Sequence, residues 1–206
     1  MRCLRNGWWS AIWHFTASQF VVLLLLHTAA LAATAPYGVD LDGHPVMLAQ
    51  SAAPAIVLFF TASDCPIANR YEPELLRLER KFAPSRVEFW WVYANPEDTA
   101  AVVRQHQSQF PGSAHVILDT EQSLVHLAHA TVTPEAAIFI PGNGALHEVY
   151  RGRIDDRYIS LGQERPHAMH HELEDAIADV LARRAVHEPG GPPVGCSIVP
   201  LEALSQ

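Results

Sequence analysis

An α/β fold, with a central mixed β-sheet flanked by helices on both faces, is predicted by three features of this 206-residue chain. The first is alternation. Short apolar runs at 55–60, 87–93, 115–118 and 135–140 are separated by segments with helical spacing. The second is a junction, Thr61-Ala-Ser-Asp-Cys65-Pro66, where the first apolar run turns directly into a helical pattern. The third is Thr133-Pro134 immediately before the run 135–140. Proline is poorly placed inside a sheet but acceptable at its first residue.

Taken in order, residues 38–43 and 45–48 read as an edge strand or hairpin. Residues 55–60 (Ala-Ile-Val-Leu-Phe-Phe) carry no polar position, as a strand buried on both faces requires. Ile67, Tyr71, Leu75, Leu78 and Phe82 recur every three or four residues and make 67–82 an amphipathic helix. Aromatics and valine make 87–93 a strand. Asn95-Pro96 reads as the cap and first turn of a helix running towards Phe110. A strand at 115–118 precedes a short helix at 121–129, with Asp119-Thr-Glu121 as its cap and acidic first turn. Residues 135–140 and 145–150 flank Pro141-Gly-Asn-Gly144, a hairpin signal. A last amphipathic helix is expected over 168–186, with Met169, Leu173, Ile177, Val180 and Leu181 facing the core.

Residues 1–35 read as a targeting segment. Arg2 and Arg5 precede an apolar stretch peaking at residues 20–26, and small residues close it, with cleavage expected after Ala35. The alternative is an uncleaved anchor, since 8–33 nearly spans a bilayer. That gives 1–35 as signal peptide, 36–186 as the folded domain, and 187–206 as a Pro/Gly-rich tail carrying Cys196. The expected location is therefore exported, periplasmic or otherwise extracytoplasmic, with membrane contact only if the N-terminal segment stays uncleaved.

The whole chain has 14 Lys+Arg against 22 Asp+Glu. Without Arg2 and Arg5, 12 basic residues face 22 acidic ones, a net charge of −10. Such a chain is a poor partner for nucleic acid or an anionic membrane surface. Cys65 and Cys196 remain after export, and two cysteines in an exported chain are a candidate disulfide or redox pair.

Cys65 is the candidate nucleophile. At a helix N-terminus, unpaired amides and the helix dipole stabilise an anion, so a thiol there ionises more easily. The order helix, Thr133-Pro134, strand, turn, strand, helix points to a cis bond at Pro134, bending the chain sharply beside the Cys65 loop.

On these residues the chain resembles the thioredoxin-like superfamily, and within it the exported, peroxiredoxin-related redoxins. The segments that carry the resemblance are 59–66 (Phe-Phe-Thr-Ala-Ser-Asp-Cys-Pro), 132–135 (Val-Thr-Pro-Glu), 150–156 and the late Gly195-Cys196. It implies a thioredoxin-like fold over roughly 37–198. It also implies that the Thr133-Pro134 backbone holds an extended substrate segment. Arg70, one turn into the helix that Pro66 opens, reads either as a cation near the thiolate that helps hold it ionised or as a solvent-facing helix residue. Two departures matter. Cys65-Pro-Ile-Ala68 lacks the second loop cysteine of thioredoxins, and Ala62 stands where peroxiredoxins carry threonine, Thr61 being one position off. Cys196 is the remaining candidate resolving thiol, because the tail is long enough to cross back over the domain.

The function expected is thus a thiol-disulfide oxidoreductase or antioxidant of the redoxin type. Cys65, Cys196 and Pro134 would be its catalytic residues, and Thr133, Pro66 and Arg70 would contact substrate. Its partners would be a disulfide or peroxide and an external thiol donor. The alternative is a non-catalytic binding module, or a copper-chaperone-like protein, with a structural Cys65–Cys196 disulfide.

No cofactor or metal is expected. His167, His170 and His171, and the pair His126 and His129, have helical spacings able to hold zinc or copper, but on faces where exposed polar residues are ordinary. Asp155-Asp156, surrounded by Arg151, Arg153 and Arg157, reads as a solvated or salt-bridged turn. Trp90-Trp91 should divide between the core and a helix-covered face.

Overall fold

A computed structural model of the chain describes residues 36–110, 115–187, 191–201 and 203. The expected signal segment 1–35 lies outside the described residues. No helix among the described residues is long and apolar enough to cross a membrane.

Nine strands are described: β1 (Ile56–Thr61), β2 (Glu88–Tyr93), β3 (His115–Leu118), β4 (Val132–Thr133), β5 (Glu135–Gly142), β6 (Ala145–Gly152), β7 (Tyr158–Ser160), β8 (Gln163–Glu164) and β9 (Cys196–Ser197). The helices are α1 (Pro66–Phe82), α2 (Ala100–Gln107), α3 (Ser123–Ala128) and α4 (Glu172–Leu181). The main sheet has the order β3-β2-β1-β5-β6. β1, β2 and β3 run parallel, while β5 and β6 add antiparallel. This is the mixed sheet the alternation predicts.

Side chains alternate between the two faces of the sheet. On one face Val57, Phe59, Trp91 and Ile138 pack with Tyr71, Leu75 and Leu78 of α1, Val103 of α2 and Leu173 and Ile177 of α4. On the other, Ile56, Leu58, Phe60 and Phe139 pack with Leu124, Val125 and Ala128 of α3 and with Leu48 and Ala49. Helices therefore cover both faces, and β1 is buried along its whole length. Trp91 is buried in the first cluster, and Trp90 packs half-buried against the second and against the His115 ring. Asn143 and Gly144 both have positive φ and close the β5–β6 hairpin.

Several elements differ from expectation because tertiary partners claim backbone groups. Residues 38–48 form no strand; Val39 makes isolated bridges to Pro45 and Leu118, and a 3-10 turn follows at Leu48–Gln50. The second helix is capped by Thr99, whose Oγ1 accepts from the Val102 amide, not by Asn95. Residues 95–98 instead make a turn, with the Asp98 carboxylate pulled onto the Ser63 amide 3.2 Å away.

The Asp119 cap is present: its Oδ2 accepts from the amides of Leu124 (2.9 Å) and Val125 (3.1 Å). The helix it caps is shorter than the expected 121–129, bounded by Gln122 and His129 in the left-handed region. The last helix begins at Glu172 rather than 168, because Asp156 Oδ1 takes the amides of Met169 (2.6 Å) and His170 (3.0 Å). Met169 is consequently 74% exposed and not a core residue. At the other end, Arg183 takes a positive φ and stops the helix short of 186.

Candidate functional site

Cys65 is the N-cap residue of α1, extended at φ −84°, ψ 106°, with Pro66 at the first helical position. Its amide donates to Ala62 O (3.1 Å), and its carbonyl accepts from the Asn69 amide (3.0 Å). The loop before it is pinned from outside. Asp98 accepts from both the amide and the hydroxyl of Ser63, and Asn69 Nδ2 donates to Ser63 O (3.3 Å). Asn69 Oδ1 in turn meets His106 Nε2 at 2.7 Å, and His106 Nδ1 meets the Tyr93 hydroxyl at 2.8 Å. A buried polar chain thus runs from α2 to the thiol loop.

The second wall is the bend at Thr133-Pro134, whose peptide bond is cis. Glu135, 1% exposed, anchors this bend from below. Its Oε2 accepts from the amides of Thr131 (2.9 Å) and Val132 (3.4 Å), and Arg151 stands 3.6 Å from its other oxygen.

The third wall is the tail. β9 pairs antiparallel with β4, setting Cys196 opposite Thr133 and Ser197 opposite Val132. Glycine is required at 195: a Cβ there would overlap the Thr133 carbonyl and stand 2.9 Å from Pro134 N. The pairing brings Cys196 Sγ to 3.1 Å from Cys65 Sγ. Both are free thiols, Cys65 buried and Cys196 exposed. The Cys65 thiol also lies 3.0 Å from Thr133 O.

Electrostatics separate the two sulfurs. Burial raises the Cys65 pKa, but hydrogen bonding with the Thr133 side chain, the Ala68 amide and Cys196 outweighs it, leaving the thiol below its usual value. Burial and then the hydrogen bond and charge of Cys65 push Cys196 up to about 11, with Asp64 adding to the effect. Both shifts favour the thiolate on Cys65 and the thiol on Cys196. The site can therefore attack an electrophilic sulfur or oxygen and offer a second thiol to the product.

Of the expected site residues, Cys65, Pro66, Thr133, Pro134 and Cys196 are brought together. Arg70 is not: its guanidinium makes an exposed ion pair with Glu164, 3.0 Å away on β8. Asp155 and Asp156 are buried rather than solvated, and the salt bridge that Asp156 makes is to Arg165, 3.8 Å away, not to Arg151, Arg153 or Arg157. Asp155 accepts from the Tyr71 hydroxyl (2.5 Å), and Asp156 takes the two amides that delay α4. His167, His170 and His171 precede α4 instead of riding on it, so their helical spacing has no meaning. Among the described residues no group of three His, Cys, Asp or Glu is placed to hold a metal. Asp98 escaped the sequence reading, and Glu135 and Gly195 entered it only as parts of Val132-Thr-Pro-Glu135 and Gly195-Cys196, with no role of their own.

Fold and site together define an α/β protein, a mixed sheet covered by helices on both faces, with one cysteine at the N-cap of its first core helix and a second delivered by the tail. No family model and no curated protein matches the chain. Among solved structures, an uncharacterized conserved protein from Geobacillus kaustophilus is 26% identical, with a TM-score of 0.65 over 80% of this chain and 88% of that one. A hypothetical protein from Sinorhizobium meliloti 1021 is 21% identical, with a TM-score of 0.66 over 80% and 92%. A secreted Mycobacterium tuberculosis disulfide oxidoreductase is 16% identical, with a TM-score of 0.47 over 71% and 93%.

Proposed function

We propose that this protein is an exported thiol-disulfide oxidoreductase in which Cys65 is the nucleophile and Cys196 the resolving thiol. The observation that carries this reading is the 3.1 Å approach of the two sulfurs at the N-terminus of α1, beside Thr133-Pro134. The Cys65 thiolate attacks one sulfur of a substrate disulfide, forming a mixed disulfide and expelling the other sulfur as thiolate. Cys196, giving up its proton, attacks Cys65 Sγ. The Cys65–Cys196 disulfide forms and the substrate leaves as its second thiolate. Two electrons have passed to the substrate, and an external dithiol donor returns them by the same exchange in reverse.

Disulfide exchange is favoured over peroxide reduction by the loop chemistry. Ala62 supplies no hydroxyl near the sulfur, and Thr61 Oγ1 is buried in β1 with no partner. Export rests on residues 1–35, and an N-terminus at Pro36 in the secreted protein would establish it.

The test is alkylation of the reduced protein across pH 4–9, with mass mapping of each cysteine. Cys65 is expected to label with an apparent pKa below the ordinary value of about 8.5, and Cys196 only at higher pH. A normal or raised value for Cys65 would leave the non-catalytic binding module as the reading.

A further inference from the structure

Three segments wall the sulfur pair: the turn 61–66, the bend 131–134 and the tail 191–198. Between them they carry a single charged side chain, that of Asp64. Asp64 is exposed and directly precedes Cys65. It stands third in a turn that the Cys65 amide closes onto Ala62 O (3.1 Å). Ser63, second in that turn, is held by Asp98 through its amide and hydroxyl and by Asn69 through its carbonyl. The backbone that carries Asp64 is therefore fixed. The neighbouring cations are engaged elsewhere. Arg70, the first basic residue after it in the chain, meets Glu164 at 3.0 Å, and Arg151 faces buried Glu135 at 3.6 Å. After burial and the effect of Cys65, the Asp64 charge also helps to hold the Cys196 proton.

Disulfide exchange begins with a thiolate, and its negative charge spreads over three sulfurs as the bonds change. A fixed carboxylate beside that charge opposes it, unless the incoming molecule brings a cation of its own. Outside residues 1–35 the chain carries 12 basic against 22 acidic residues, which extends the same preference to longer range.

We propose that Asp64 selects the external donor by charge: the thiols that reduce the Cys65–Cys196 disulfide belong to a dithiol with positive charge beside its sulfurs, and anionic thiols are turned away. This rests on the disulfide-exchange reading and names the class of its second partner. A donor thiolate attacks one sulfur of the pair, forming a mixed disulfide and expelling the other as thiolate. The donor's second thiolate attacks the donor sulfur of that mixed disulfide, closing the donor disulfide and freeing the remaining protein sulfur. The donor loses two electrons and the protein disulfide gains them. The donor's thiol protons pass to solvent, from which Cys196 takes one. Asp64 takes part in neither bond change and acts by disfavouring the wrong partner. In a protein donor the matching feature is a dithiol rimmed by lysine or arginine.

The experiment uses the full chain, oxidised to the Cys65–Cys196 disulfide, and two four-carbon dithiols that differ in charge. Dithiobutylamine is a cation at neutral pH, and dithiothreitol is uncharged. Each completes the exchange with its own second thiol, so no adduct has to survive. Loss of the Cys65–Cys196 disulfide is followed by acid quench and mass mapping. Rates per thiolate are divided by those for bis(2-hydroxyethyl) disulfide, an uncharged reference. The normalised preference for the cationic dithiol should be at least about threefold in the wild type, as unit charges roughly 6 Å apart in water imply. It should vanish in Asp64→Asn and reverse in Asp64→Lys. In 1 M salt, where the screening length is about 3 Å, the wild type should lose most of it.

Equal normalised rates for the two dithiols in the wild type, or a preference that survives Asp64→Asn, overturn the inference and leave the exchange intact. A disulfide that neither dithiol reduces sinks the exchange reading, and this inference with it. If Asp64→Asn fails to fold, Asp64→Ser removes the same charge and serves the same comparison.

Discussion

Replacing Cys196 by serine will stop the cycle at a mixed disulfide between Cys65 and substrate. The serine hydroxyl fits the same position but cannot attack sulfur, so release falls to an external thiol. An intramolecular thiol held in contact with Cys65 has an effective concentration far above any external millimolar thiol. Turnover should fall by at least about a thousandfold on that ground. The first step is untouched, so a Cys65 adduct should accumulate, visible as a mass increase under non-reducing conditions. Cys65→Ser removes the nucleophile itself and should give neither turnover nor adduct. A Cys196→Ser protein that turns over like the wild type would mean that the 3.1 Å approach is not part of the reaction.

The largest pH effect on stability should come from Glu72. It lies on α1, 1% exposed, with Oε2 accepting from Trp91 Nε1 (2.8 Å) and Oε1 unpartnered. Burial raises its pKa from 4.5 to about 7, against the smaller lowering from the Trp91 indole. The folded state therefore holds this proton more tightly than the unfolded chain. The resulting stability is fully present below pH 4.5 and is lost as pH rises through about 7. The shift corresponds to about 3 kcal/mol when integrated over that window. Denaturant midpoints at pH 5 and pH 8 should thus differ more for the wild type than for Glu72→Gln, which is neutral throughout. Asp98 and Asp155, also raised by burial, act in the same direction in both proteins and cancel in the comparison. If the two proteins respond identically to pH, Glu72 is not the titrating group.

Most of the sheet was legible because its signals are local. Six consecutive apolar residues at 55–60 suit only a strand covered on both sides, and the 3–4 spacing of Tyr71, Leu75, Leu78 and Phe82 sets the face of α1. Where the reading failed, a distant side chain had claimed a backbone group. Asp156 took the amides that would have begun α4 four residues earlier, and Asp98 was drawn to Ser63 where an Asn95-capped helix was expected. Neither carboxylate reveals its partner by sequence spacing.

The candidate site divides the same way. Cys65 at a strand-to-helix turn and Thr133-Pro134 before a strand are properties of short segments, and the sequence alone places both, along with the α/β class. That Cys196 returns 131 residues later to lie beside Cys65, that Glu135 braces the bend, and that Arg70 turns away to Glu164 are decided only by tertiary structure. The physical reason is range. Propensity and periodicity act over a few residues, whereas strand β9 exists only because β4 offers it an edge and Gly195 has no Cβ to refuse it.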